Sequence, residues 1–193
     1  MCIRDSSYTA QLIRVSNGVE ATQSKQIAFK VKPLHEPNPD GADEQEMVSF
    51  WNDYADIQKN ASWFQDAYGK TTARLKAVKR AWALTNVSDM EASKLMAETT
   101  TRMQALDNRI SGSKAKAEIG EKTIPNMGDR MFSLYLGMAN STYGPTDTHK
   151  DIMSWLQTDI KSFSTELKGI EKNIKTLAQK IAKAGGPYIE GMD

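Results

Sequence analysis

The chain has 193 residues, 39% hydrophobic and 25% charged, with 25 Lys and Arg against 24 Asp and Glu. That balance excludes a disordered segment, and no run of about 18 uninterrupted apolar residues exists to span a bilayer. A formal net charge of +1 gives no overall pull toward nucleic acid or anionic lipid, so neither is expected as a partner without a local patch.

The single cysteine, Cys2, cannot form an internal disulfide and carries no argument about redox compartment. Its neighbours Met1-Cys2-Ile3-Arg4-Asp5-Ser6 resemble a translated sequencing adapter, so residues 1–6 are read as a non-native leader.

Tyr8 to Val15 and Lys25 to Lys32 alternate β-formers with polar residues and predict two strands. Asn17-Gly18 tolerates positive φ and predicts a hairpin turn between them. Two strands alone are marginal in water, so residues 7–32 are expected to be the remnant of an upstream Ig-like sandwich. Pro33, Pro37, Pro39 and Gly41 make residues 33–42 a linker.

From Asp43 the period changes. Met47, Phe50, Tyr54, Ile57, Ala61, Phe64, Tyr68, Thr71, Leu75, Val78 and Trp82 recur at alternating spacings of three and four, the seam of a left-handed bundle. A helix from Asp43 to near Thr85 would be roughly 60 Å long. Ser88, with Glu91 three residues later, predicts the cap of a second helix ending near Ser111, with Ala92, Met96, Thr99, Met103, Leu106 and Ile110 as its stripe. Ser113 to Asn126 reads as a loop. A shorter helix follows, with Met127, Met131, Leu134, Tyr135 and Met138 on one face. The last helix starts at a Thr146 or Asp147 cap and runs to about Ala184, its stripe spaced like the first, before Gly185-Gly186-Pro187 stops it.

The two shorter helices laid end to end match either long helix in length. The predicted fold is therefore mainly α: an elongated antiparallel bundle over residues 43–193, with two long parallel helices and a third column split in two, preceded by a two-strand β remnant.

Chemistry is sparse. His35 and His149 have no second histidine or cysteine at ligand spacing, and no nucleophile elbow or phosphate-binding glycine loop occurs, so no catalytic residue, cofactor or metal is expected. Most carboxylates fall between the apolar stripes, on solvated faces. Lys70, Arg74, Lys76, Lys79 and Arg80 on the first helix and Lys172, Lys175, Lys180 and Lys183 on the last would meet at one pole. The reading preferred for them is dipole complementarity with pairing to Asp89 and Glu91; a polyanion site is the rival. The segment chosen as most consequential is the loop of Ser141, Thr142, Tyr143, Gly144, Pro145 and Thr146 with His149. It is expected to be a structural clamp, with Tyr143 anchored in an apolar contact and His149 bonded to the 143–145 turn; a binding site is the alternative.

The strands with Tyr8-Thr9-Ala10-Gln11-Leu12 and Gln26-Ile27-Ala28-Phe29-Lys30-Val31, then a proline linker and long helices, resemble the C-terminal region of sortilin-like, BNR-repeat glycosyl hydrolase family proteins. Ile119-Gly120-Glu121, Gly128-Asp129-Arg130, Ser141 to Thr146 with Thr148-His149, and Gly185-Gly186-Pro187-Tyr188 carry the same resemblance. It implies an exported, periplasmic or extracellular parent whose upstream β-propellers would be the partner of this module. Any glycan would be met only through those domains. No catalytic residue carries over, and fold alone does not fix function. The expectation is a non-catalytic accessory module; a free-standing coiled-coil adaptor binding partner helices is the alternative.

Overall fold

The computed structural model describes residues 7–31, 40–85, 89–122, 124–141 and 143–191. Cys2, His35, Ser88 and Thr142 lie outside them, as does most of the expected linker.

The N-terminal segment is an antiparallel hairpin, but each arm is broken in two. β1 (Ser7–Ala10) pairs with β4 (Ile27–Lys30), and β2 (Ile13–Ser16) pairs with β3 (Val19–Thr22). Asn17 and Gly18 form the turn with φ of 52° and 77°, as the two-residue hairpin signal requires. The two expected strands are thus corrected to four. Gln11-Leu12 on one arm faces the longer stretch 23–26 on the other, which interrupts the ladder. Ser24 holds this break: Leu12 N donates to its Oγ at 2.9 Å, and Gln23 N donates to Leu12 O at 2.8 Å. Tyr8 and Phe29 are paired across the ladder and stack with centroids 5.7 Å apart.

The remainder is helical: α1 (Glu44–Ala83), α2 (Met90–Ser111), α3 (Lys114–Glu118), α4 (Met127–Ala139) and α5 (Asp147–Lys183). Asp43 caps α1 by accepting from Glu46 N, and Asp89, rather than Ser88, caps α2 by accepting from Glu91 N and Ala92 N. α3, expected as loop, is a single short turn capped by Ser113. It is too short for a periodic apolar pattern to reveal it. α5 ends in a Schellman motif, with Gly185 at φ 76° and the amides of Gly185 and Gly186 donating to Ala182 O and Ile181 O.

Cross-helix contacts fix the topology. Lys150 on α5 pairs with Glu46 on α1, Phe163 packs on Phe64, and Glu171 meets Thr71, so α1 and α5 run parallel. Asp89 pairs with Lys180, Arg102 with Glu166 and Arg130 with Asp159, so α2 and α4 run antiparallel to α5 as one split column. The bundle is the three-column arrangement that the spacing predicts.

The core follows the stripes. On α5 every position from Leu156 through Ile181 in the three-four series is buried, while Ala184 is exposed as the C-cap. On α1 the series is buried apart from Tyr68 and Trp82, which are half-buried. Tyr135 departs from its expected face: it is exposed on α4 and meets Trp51 edge-on at 6.4 Å. Among the described residues Thr71 and Thr99 are the two buried polar ones, and each hydroxyl donates to the carbonyl four residues back, so neither is left unsatisfied.

Candidate functional site

The connection from α4 to α5 brings three elements together. α4 ends at Ala139, where Asn140 N and Nδ2 both donate to Leu136 O. Ser141 Oγ then accepts from Tyr143 N at 3.1 Å, a local turn that redirects the chain. Thr142 lies outside the described residues.

Tyr143 does not supply the expected apolar anchor. Its ring is half-exposed; its carbonyl instead accepts from Ala42 N at 2.8 Å, immediately before α1. Gly144 follows, buried and at φ 107°, with no room for a side chain: a Cβ there would stand 2.4 Å from Ala42 Cβ. Only glycine combines that backbone with that approach. Pro145 then leads into Thr146, the N-cap of α5.

Thr146 and His149 form a capping box. Thr146 Oγ1 accepts from His149 N at 3.3 Å, and His149 Nδ1 accepts from Thr146 N at 3.2 Å. His149 therefore bonds the cap residue itself rather than the 143–145 turn, a correction of one residue with a clear cause. Thr146 N is an orphan donor of the helix start, and an imidazole three residues on can reach it as a Glu or Gln would. That geometry needs Nδ1 without a proton. Nε2 is directed at Gly137 on α4, where a Cβ would lie only 2.3 Å away. One residue later Lys150 reaches Glu46 at 2.8 Å, and that carboxylate holds the ammonium pKa above its usual value.

No family model, no curated protein and no solved structure matches the chain. The resemblance drawn from the tail motifs accordingly rests on those motifs.

Chemically, the cluster's polar atoms serve the chain's own backbone. Ser141 Oγ, Thr146 Oγ1 and His149 Nδ1 each accept from a main-chain amide. Among the described residues no group of three or more His, Cys, Asp or Glu is placed to hold a metal ion, and no helix is long and apolar enough to cross a membrane. Ala42 and Gly137 complete the cluster and were not singled out in the sequence. A glycine in mid-helix costs about 1 kcal/mol relative to Ala, so Leu136-Gly137-Met138 did carry a signal of close approach. Nothing local marks Ala42.

The ion pairs across the columns are a second feature. Arg130 donates to Asp159 at 3.0 Å and lies over Trp155, 5.1 Å from the ring centroid. Arg102 donates to Glu166 at 2.8 Å, which holds the Glu166 carboxyl below its ordinary pKa. At the far pole Lys180 pairs with Asp89, joining the end of α5 to the cap of α2 and lowering the Asp89 pKa. Of the pairing expected between the basic ends and Asp89 and Glu91, this is the ion pair the structure shows.

Proposed function

We propose that the chain is a non-catalytic structural and interaction module of an exported β-propeller protein resembling the glycosyl hydrolases, and that its hairpin completes a sheet in the upstream domains. The observation that carries this is the hairpin's uncovered apolar surface. Ile13, Val15, Val19, Ile27 and Phe29 are each at least 45% exposed. A two-stranded ribbon is marginal in water, and open strand edges with apolar side chains are what strand addition uses. The strand, linker and helix order and the 141–149 motif support the parent named here.

The reading is tested on the uncut gene. Propeller repeats encoded upstream of Tyr8 are expected, and an open reading frame without them removes the proposal. With the upstream domains present, the amides of residues 7–31 are expected to gain protection from hydrogen exchange. A panel of aryl glycosides should meet no turnover by this chain; clear hydrolysis would overturn the non-catalytic assignment. The coiled-coil adaptor is the weaker reading, because it needs an exposed seam and the three-four stripes are buried within the bundle itself.

A further inference from the structure

The three columns leave an open groove between α1 and α5, and its lining differs from the rest of the surface. One stretch, about 680 Å³, has Asn60, Trp63, Gln157, Lys161, Ser164 and Lys168 along its sides, over a floor of buried Phe64 and Leu167. A second stretch of about 460 Å³ shares Lys168 and Glu171 with the first and adds Arg74, Lys172 and Lys175. From Gln157 to Lys175 the groove follows α5 for roughly 27 Å.

Three observations define what would fit. The groove is cationic: Glu171 is its one carboxylate, and its Oε1 lies 2.8 Å from Thr71 Oγ1. Arg102, Arg130 and Lys180, which reach between columns, are paired with acids, whereas the side chains of Arg74, Lys161, Lys168 and Lys172 have no ion-pair partner among the described residues. Lys175 is already engaged and is not counted. Finally, Trp63 is the one large apolar side chain exposed in the groove, at 66%, with Lys59 lying 5.2 Å from its ring centroid; the uncharged polar side chains along the sides are amides and hydroxyls.

An amphipathic helix is a poor match, since the apolar floor residues Phe64 and Leu167 are 4% and 3% exposed and Trp63 alone offers a large apolar surface beside them in the groove. Single-stranded nucleic acid calls for a series of stacking rings, and here there is one. A hydroxyl-rich, anionic chain meets all three features. We propose that the α1–α5 groove binds a linear acidic polysaccharide, with Arg74, Lys161, Lys168 and Lys172 meeting its carboxylates or sulfates and Trp63 stacking on a sugar ring. This is independent of the hairpin's role and places a glycan contact within the bundle itself.

The test is titration of the full chain with polygalacturonate and with chondroitin sulfate, followed by calorimetry and backbone amide shifts. Saturable binding that weakens with salt is expected, with shifts confined to α1 and α5 along the groove. The triple substitution Lys161→Gln, Lys168→Gln, Lys172→Gln should weaken it about tenfold or more. Trp63→Ala should weaken it about fivefold, with the loss persisting at high salt. Both variants change exposed side chains, and an unchanged melt will show that they fold. Failure of both polysaccharides to bind, binding undiminished in the variants, or equal binding of poly-glutamate or single-stranded DNA would overturn the proposal.

Discussion

The imidazole of His149 occupies the space that a side chain at Gly137 would need, with Nε2 only 2.3 Å from where a Cβ would stand. The same ring accepts from Thr146 N through Nδ1, so it cannot swing away without opening the α5 cap. Gly137→Ala in mid-helix would by itself add about 1 kcal/mol of stability. Against His149 it should instead destabilise by about 1 to 2 kcal/mol, through the lost cap and the displaced ring. In a His149→Ala background the sign should reverse. A double-mutant cycle in urea measures this, and an equal effect of Gly137→Ala in both backgrounds would show that the two residues are not coupled.

Two other glycines should respond in opposite directions. Gly69 lies within α1 with nothing inside 4 Å of an added Cβ, so Gly69→Ala should stabilise by about 1 kcal/mol. Gly144 has φ 107° and a Cβ there would meet Ala42 at 2.4 Å, so Gly144→Ala should cost about 2 to 3 kcal/mol. For a chain of this size that separates the two melting temperatures by roughly 6 to 16 °C. Similar melts for both would remove the close approach at Ala42.

Tyr143 and Thr146 divide the loop's hydrogen bonding between main chain and side chain. The Tyr143 bond to Ala42 uses the carbonyl, and its ring is half-exposed, so Tyr143→Ala should change stability by no more than about 0.5 kcal/mol. Thr146→Ala removes the Oγ1 acceptor for His149 N and should cost about 1 kcal/mol. A large loss from Tyr143→Ala would mean that the ring carries a contact beyond the carbonyl bond.

What could be read in the sequence was whatever repeats. The three-four spacing of α1 and α5 reports a buried seam because a 3.6-residue helix returns the same face to the core each turn, and length then forces the split column. Asn17-Gly18 was legible since positive φ is a property of those residues alone. The ladder break opposite Gln11-Leu12 was not, because it depends on a Ser24 hydroxyl meeting a distant amide. Tyr135 fell on the apolar stripe by spacing, yet its ring is exposed and edge-on to Trp51 of α1, a contact that spacing within α4 does not reveal. In the 141–149 loop, the caps and the glycine stop could be read locally; the partners Ala42 and Gly137 are brought in by tertiary packing.

Leu167 tests the seam directly. It is 3% exposed and lies in the α5 stripe between Phe163 and Ile170, so Leu167→Ala should destabilise by about 2 to 5 kcal/mol. Gln179, exposed on the same helix, should tolerate Ala within about 0.5 kcal/mol. Indistinguishable urea midpoints for the two variants would contradict the seam.

The Tyr68 hydroxyl donates to Asp107 Oδ1 at 2.6 Å, tying α1 to α2, and it gives the bundle an alkaline dependence of known sign. Burial, reinforced by the hydrogen bond and charge of Asp107, pushes the phenol from 10.0 up to about 12. The folded state thus holds this proton more tightly than the unfolded chain does. Its contribution is complete below the unfolded value near 10 and is lost as pH rises through about 12. Tyr68→Phe removes both the donor and this titration and should cost about 1 kcal/mol at neutral pH, leaving Asp107 free to turn to solvent. The wild-type minus variant difference isolates the contribution of Tyr68. Urea midpoints followed from pH 7 to pH 11.5 should show that gap holding to about pH 10 and then closing. A gap that stays constant across the range would mean that the bond to Asp107 does not form in solution.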